Sequence, residues 1–171
     1  MLQLYLMLQL YYSFEINATT LSLPSGEMPY EIMKTTSIKC NCELLLKRYA
    51  RKKYIMPMKK FSLVRPDISE FVLLMVLLVA NPAVSDELSP KAKEIIRTEQ
   101  ERYGKILLQL EQNRHGQGPG ALRYSQCLEL MWEVIHSTKN SVNMIILINL
   151  LQDNGINCIW PNALLSKNVK F

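Results

Sequence analysis

The cysteine and histidine residues are the first candidates for chemistry, because thiolate and imidazole groups bind metal ions and act as nucleophiles or bases. The chain contains Cys40, Cys42, Cys127, Cys158, His115 and His136. The first two cysteines form a C-x-C pair and not the C-x-x-C pair of zinc sites, and neither histidine has a metal-type spacing to a cysteine. We therefore expect no metal, no cofactor and no catalytic thiol.

The glycine-rich stretch 116–120 and the acidic residues before it are the next candidates. A phosphate-binding loop would continue into Gly-Lys-Ser/Thr at the start of a helix, and this stretch does not, so a loop between helices is the better interpretation. Glu94, Glu99 and Glu101 alternate with Lys and Arg, which is typical of a solvated helix face and not of an acid/base pair. With no G-x-S-x-G or H-E-x-x-H motif, the sequence predicts that the chain is not an enzyme.

Composition sets the class of protein. The 171 residues are 49% apolar and 20% charged, which suits one globular domain with a core. The formal charge of +5 is too small for a dedicated nucleic-acid binder. The longest uncharged apolar run, 71–80, is half the roughly 20 residues that a bilayer-spanning helix needs, so we expect no membrane partner. The N-terminus lacks the basic region and cleavage site of a secretory signal, so the thiols should be reduced.

The basic run from Lys47 to Lys53 leaves three interpretations open. It could form a solvated helix face, a nuclear-import signal, or a contact surface for an anionic partner.

The N-terminal part of the chain carries mixed signals. Over residues 1–16, leucine at every second position fits a strand, whereas the residue types favour a helix, and the sequence leaves both open. Residues 19–30 predict a small β-hairpin, because Leu21 and Leu23 alternate with polar residues and Pro24-Ser25-Gly26 supplies turn chemistry.

Helices are predicted from residue 43 onward. A helix over 43–56 should kink or end near Ile55, because Pro57 has no backbone N–H to donate. The next helix is capped by Asp67 or Ser69, carries an apolar core, and stops before the following proline.

Two long helices complete the predicted core. Ser89 is a good N-cap and Pro90 fits the first helical position, so a helix begins there and is broken by the glycines of 116–120. Another starts at Ala121 and extends as far as Gln152, a length of about 45 Å. The apolar residues that keep helical phase along it are Tyr124, Leu128, Met131, Ile135, Val142, Ile145 and Ile146.

The order of these segments resembles the C-terminal part of a nuclear-receptor ligand-binding domain, of the hepatocyte-nuclear-factor-related branch expanded in nematodes. The segments similar to the family's helices seven to eleven are "PMKKFSL" (57–63), "SEFVLLMVLLVANP" (69–82), "ELSPKAKEIIRTEQERYGKILLQLEQNRHG" (87–116), "GPGALRYSQCLELMWEVI" (118–135) and "SVNMIILINLLQDNGI" (141–156). The carrying features include the acidic-aromatic pair Glu70-Phe71 and the pair Arg123-Tyr124. "LQLYYSFE" and "LSLPSGEMPY" look like the end of helix five and the hairpin after it.

The resemblance implies an all-α fold, a partial three-layer helical sandwich with a small β-hairpin. It implies a single domain over 1–171 that lacks its N-terminal part. Residues 1–42 would hold the end of helix five, the hairpin and a linker; 43–152 would hold helices seven to eleven; and 153–171 would form a tail. The tail segment Ala163-Leu164-Leu165-Ser166 has no acid where the family's activation helix carries one.

The resemblance also implies two binding surfaces. The residues at ligand-pocket positions would be Phe14, Leu23, Leu46, Ala50, Ser141, Met144 and Ile145; plain core residues are the alternative. The dimer or partner face would present Glu129, Met131, Trp132 and Glu133, with Trp132 either an interface anchor or a core residue. Leu130 stands where some relatives carry an arginine.

The function implied is binding. The chain would act in the nucleus as a transcription-regulatory module that takes an apolar ligand, a homo- or heterodimeric receptor partner, or a co-regulator. It lacks the C-x-x-C pairs of the family's DNA-binding module, so we expect no direct nucleic-acid binding. The alternative is a helical protein-interaction module that needs no ligand.

Overall fold

The computed structural model describes residues 2–23, 25–31, 43–82 and 88–153. In chain order its elements are α1 (Leu2–Glu15), α2 (Glu43–Ala50), a π-helical turn (Arg51–Ile55), α3 (Met56–Val64), α4 (Ile68–Val79), α5 (Pro90–His115) and α6 (Gln117–Asp153). The predicted all-α class is confirmed for this part of the chain. Predictions on Cys40, Cys42, Cys158 and the segment 163–166 fall outside the described residues.

The first segment is a helix, so the strand alternative is wrong. In a strand every even-numbered leucine would lie on one face. In α1, Leu6 and Leu10 are buried whereas Leu8 is 52% exposed, as helical geometry requires. The buried side of α1 packs on the aromatic rings of α3 and α4: Tyr11 lies 4.7 Å from Phe71 between ring centroids.

The predicted β-hairpin is wrong. A turn is present, because the Leu23 N–H donates to the Glu27 carbonyl at 2.8 Å, but the described residues around it form no strands. The backbone groups that a hairpin would pair are used elsewhere. The Leu21 N–H donates to the Tyr54 carbonyl, and the Ser22 N–H donates to Ser13 Oγ at 2.8 Å. These two N–H groups therefore bond to other elements of the fold and not to a partner strand within the segment.

The α-helix that begins at Glu43 ends at Ala50, and the chain passes through the π-helical turn into α3. The turn ends at Ile55, where Pro57 was predicted to kink or end the helix. The turn is closed by the Met56 N–H, which donates to the Arg51 carbonyl five residues back. Since proline has no N–H, the Lys53 carbonyl lacks its ordinary α-helical donor. The Ser137 hydroxyl donates to that carbonyl at 3.1 Å and so ties α6 to the turn.

The predicted N-caps of α4 and α5 are confirmed. Asp67, and not Ser69, caps α4: its carboxylate accepts the N–H groups of Ser69 and Glu70, and Glu70 accepts the Asp67 N–H in return. The Ser89 hydroxyl accepts the Ala92 N–H at 3.2 Å at the start of α5. The side-chain hydrogen bonds at Asp67, Glu70 and Ser89 satisfy backbone N–H donors that a helix leaves free at its first turn.

Gly116 alone separates α5 from α6, and α6 begins at Gln117, four residues before the predicted Ala121. Gly116 has φ 85°, a conformation that glycine adopts without strain. Pro119 is tolerated because it lies in the first turn of α6, where its missing donor is not needed. Gly120 is required by close packing, since a Cβ there would lie 2.5 Å from the Glu111 carbonyl oxygen.

The long helix α6 is the spine of the described part of the protein. It has 37 residues, a length of about 55 Å, and it contacts every other helix. Its buried residues recur at alternating steps of three and four, the spacing of a heptad seam. They are Cys127, Leu130, Val134, Ser137, Ser141, Met144, Ile148 and Leu151.

Candidate functional site

The strongest polar contact joins α4 to α6. Arg123 Nε donates to Glu70 Oε1 at 2.5 Å, and Nη2 donates to Oε2 at 2.7 Å. The Glu70 side chain is 2% exposed, and its position follows from the capping box that begins α4. A buried two-bond pair of this kind is geometrically specific, and either partner left alone would be an uncompensated buried charge.

Arg123 also fixes the junction between α3 and α4. Its Nη1 donates to the Val64 carbonyl at 2.6 Å, and Nη2 donates to the Arg65 carbonyl at 3.3 Å. Arg65 has a φ of 47°, which is a left-handed backbone conformation, and it is the C-cap residue that ends α3. Hydrogen bonding to Glu70 raises the pKa of the guanidinium, against the effect of its burial. One side chain of α6 therefore sets the position of two other helices.

A second ion pair lies beside the first. Arg114 Nη1, in the last turn of α5, donates to Asp67 Oδ2 at 2.5 Å. Desolvation alone would raise the pKa of Asp67, but the hydrogen bonds from the Glu70 and Ser69 backbone, together with Arg114, outweigh it and lower the pKa. We call Asp67, Glu70, Glu111, Arg114, Arg123 and Cys127 the polar hub.

Cys127 is the thiol of the hub, and it is buried. Its Sγ lies 3.7 Å from Glu70 Oε1. Desolvation, and then the negative charge of Glu70, raise the pKa of Cys127 to about 12. Because only a thiolate is a strong nucleophile or metal ligand, this side chain is protonated and unreactive at neutral pH.

Glu111 is the least satisfied member of the hub. Its side chain is 0% exposed, and neither carboxylate oxygen has a hydrogen-bond partner. His115 Nε2 lies 3.4 Å from Oε2, and Arg114 Nη1 lies 3.9 Å from Oε1. Burial, and then the charge of Glu70, raise the pKa of Glu111, with Arg114, Arg123 and His115 acting in the opposite direction. Sequence reasoning missed this residue, although it follows the buried Leu107 by one turn of α5.

A groove of about 430 Å³ opens between α4, α5 and α6. Gly104 lies in the wall of this groove. A Cβ added at Gly104 would lie 3.4 Å from the Tyr124 hydroxyl oxygen, so a side chain larger than that of alanine would crowd the tyrosine. The groove is lined by Leu77, Gln100, Glu101, Gly104, Lys105, Leu108, Tyr124, Leu128 and Met131. Apart from Met131, no residue predicted for binding lies in it.

The predicted ligand-pocket residues lie on α1, α2, α6 and the turn after α1. Leu46, Ala50 and Met144 are buried in the hydrophobic core, and Phe14 packs against it with its ring 5.6 Å from that of Phe61. Ser141 is buried and donates to the Ser137 carbonyl. Leu23 and Ile145 are half-buried. Helices α2 and α6, which carry five of the seven predicted residues, are in contact, and the ligand-binding role of the set stays a prediction.

The predicted partner face is divided. Trp132 is 60% exposed, so the alternative that it is a core residue is wrong. Its ring packs against that of His136, tilted by 55° and with 4.6 Å between ring centroids. Glu129 is exposed and forms an ion pair with Lys60 of α3. Glu133 is half-buried, and Met131 packs against the core. Leu130 is fully buried.

Other predicted features of the surface have clear positions. Apart from the buried Glu111, the carboxylates of α5 lie on a solvated face, where Glu94 pairs with Arg97 at 3.4 Å and Glu99 pairs with Arg102 at 3.2 Å. Among the described residues, no group of His, Cys, Asp and Glu side chains could hold a metal ion. In the same part of the chain, no helix has both the length and the apolar character for a membrane span.

Comparison with protein-family models, with curated proteins and with solved structures gives no match to this chain.

Proposed function

We propose that the chain is a binding module of the nuclear-receptor ligand-binding type, which acts in transcription in the nucleus through an apolar ligand or a partner protein. The observation that carries the proposal is the Glu70–Arg123 ion pair. These residues belong to two of the segments on which the resemblance rests, "SEFVLLMVLLVANP" and "GPGALRYSQCLELMWEVI", and they are 53 residues apart. A buried contact between them supports reading both segments as parts of one arrangement.

The positions of the predicted pocket residues support uptake of an apolar ligand at the contact between α2 and α6. Leu46, Ala50 and Met144 offer apolar atoms there, and Ser141 offers a polar one. Such a mostly apolar lining with few polar groups is what small-molecule sites use.

Thermal melting with a panel of apolar compounds, such as palmitic acid, oleic acid and cholesterol, tests this proposal. A compound that binds only the folded chain raises the melting temperature, and the rise grows with the logarithm of the ligand concentration once that concentration exceeds Kd. Ser141→Ala removes the polar atom of the site without adding volume and should reduce the rise, whereas Ser125→Ala, at an exposed position of α6, should not. If no compound moves the melting temperature of the unmodified chain, the ligand-binding proposal fails.

A ligand-independent helical interaction module is the second candidate, favoured by the exposed Trp132. A solvent-exposed tryptophan packed against a neighbouring ring offers a large aromatic contact to a protein partner. With a second copy of this chain as the partner, sedimentation measurements should detect a dimer, and Trp132→Ala should weaken it by roughly thirtyfold, the effect of losing about 2 kcal/mol. Leu122→Ala, at another exposed apolar residue of α6, is the matched control and should change little.

A further inference from the structure

One face of the rod formed by α2, the π-helical turn and α3 carries a row of three apolar and three cationic side chains. The members follow one another at steps of four, four, four, three and four residues, and all are exposed. We call this row the mixed stripe: Leu44, Arg48, Lys52, Met56, Lys59 and Leu63. Residues three or four apart on a helix are neighbours on the same face, so the stripe is continuous over about 28 Å.

The fold holds the stripe outward. The opposite side of the rod is buried in the core through Leu46, Ala50, Tyr54 and Phe61. The Ser137 hydroxyl holds the π-helical turn at the Lys53 carbonyl, so the turn continues the row where proline would otherwise break it. The stripe is therefore fixed in place before any partner arrives.

The cations of the stripe have no ion-pair partner among the described residues. Their neighbours do: Lys47 pairs with Glu43 and Lys60 pairs with Glu129. Leu44 is 83% exposed and Leu63 is 77% exposed, so each end of the row presents an uncovered apolar side chain. Unpaired positive charge and exposed apolar surface are thus interspersed along one line.

We propose that the mixed stripe binds an acidic amphipathic helix of a partner protein. Carboxylates of such a helix would meet Arg48, Lys52 and Lys59, and its apolar residues would cover Leu44, Met56 and Leu63. A nucleic-acid backbone would satisfy the cations but offers nothing to the leucines. A lipid surface requires a contiguous apolar face, and here every apolar residue except the terminal ones is flanked by cations. The pattern therefore favours a protein helix over both.

Fluorescence anisotropy with a synthetic peptide tests the proposal on the full chain. The probe is a labelled helix of roughly 20 residues with Leu and Glu on one face, long enough to cover the stripe. Lys52→Glu/Lys59→Glu should weaken binding by about tenfold or more, because two attractive contacts become repulsive. Lys91→Glu/Lys139→Glu changes the net charge equally at exposed sites on α5 and α6 and should leave the affinity within about twofold.

The apolar half of the stripe has its own test. Leu44→Ser/Leu63→Ser should weaken peptide binding by roughly threefold to tenfold without changing net charge. Short DNA duplexes and vesicles of phosphatidylcholine with phosphatidylserine are the competing partners. The proposal is overturned if the peptide does not bind, if the two leucine substitutions leave its affinity unchanged, or if DNA or vesicles bind more tightly than the peptide. Since all four substituted positions are exposed, the melting temperature should stay near that of the unmodified chain.

Discussion

The two halves of α6 are held in different ways. The first half is fixed by directional polar bonds: Arg123 to Glu70 and the α3 carbonyls, and Glu129 to Lys60. The second half is held by apolar residues of the heptad seam, and its outer side leaves Val142 37% and Ile146 51% exposed. Ser137 and Ser141 occupy the seam between them. The first half of α6 therefore requires specific hydrogen-bonding side chains and carbonyl groups on the helices that it contacts. The second half requires only apolar side chains there.

The largest effect is expected from breaking the polar hub at Arg123. Arg123→Met leaves the buried Glu70 carboxylate without its counter-charge and should lower the free energy of unfolding by about 3–5 kcal/mol. Urea denaturation measures the change. The double variant Glu70→Gln/Arg123→Met should recover part of the loss, because it removes the stranded charge as well. If the single and double variants were equally destabilised, the ion pair would not be the source of the effect.

The next effect concerns the tight approach of α5 to α6. Gly120→Ala places a Cβ 2.5 Å from the Glu111 carbonyl oxygen and 2.6 Å from the Gln112 backbone, so the two helices must separate. We expect a loss of about 3 kcal/mol in urea denaturation. Gly118→Ala is the matched control two residues earlier: nothing lies within 4 Å of the added Cβ. That substitution should be neutral or stabilise α6 by up to about 1 kcal/mol.

A pH-dependent effect should follow from the raised pKa of Glu111. The Glu111 carboxyl stays protonated in the folded state at pH values where it is already ionised in the unfolded chain. The contribution of Glu111 to stability is therefore greatest below its pKa in the unfolded chain, and it falls as the pH rises through its pKa in the folded state. Glu111→Met should therefore stabilise the chain by about 1–2 kcal/mol at pH 8, and the gain should shrink toward pH 4. A gain that grew on acidification would contradict this assignment.

The smallest effect is expected on the outer side of the second half of α6. Val142→Thr and Ile146→Thr replace exposed residues and should change stability by no more than about 0.5 kcal/mol. Ile148→Ala, on the buried seam of the same segment, should cost about 2–5 kcal/mol. If Ile146→Thr proved as costly as Ile148→Ala in thermal melts, the outer side would be covered in solution by another surface.

Local signals predicted what local chemistry decides. Asp67 and Ser89 identified the starts of α4 and α5, because an N-cap depends on the next three residues alone. The hairpin prediction failed since the partner of the Leu21 N–H lies on the π-helical turn, far along the chain. The apolar residues that keep helical phase along α6 include Val142 and Ile146, which are exposed. Apolar residues occur on several sides of that helix, so the periodicity predicted that the helix exists but not which of its sides is buried.

The candidate site was predicted in part. Glu70 and Arg123 were recognised as carriers of the resemblance, but their contact is a tertiary property. Glu111 was missed because a glutamate in a charged helix normally faces solvent. Its spacing from Leu107 is the signal that could have found it, since it continues the buried side of α5 by one turn.

The single-residue junction at Gly116 has a consequence for the order of folding. Because it joins two long helices with almost no loop to close, α5 and the first part of α6 can pair through contacts that are close in sequence, at small entropic cost. The Glu70–Arg123 ion pair instead closes a much longer loop, so it stabilises the chain only after α5 and α6 have paired. The helical hairpin should therefore form early, and the α3–α4 junction should be recruited onto it afterwards.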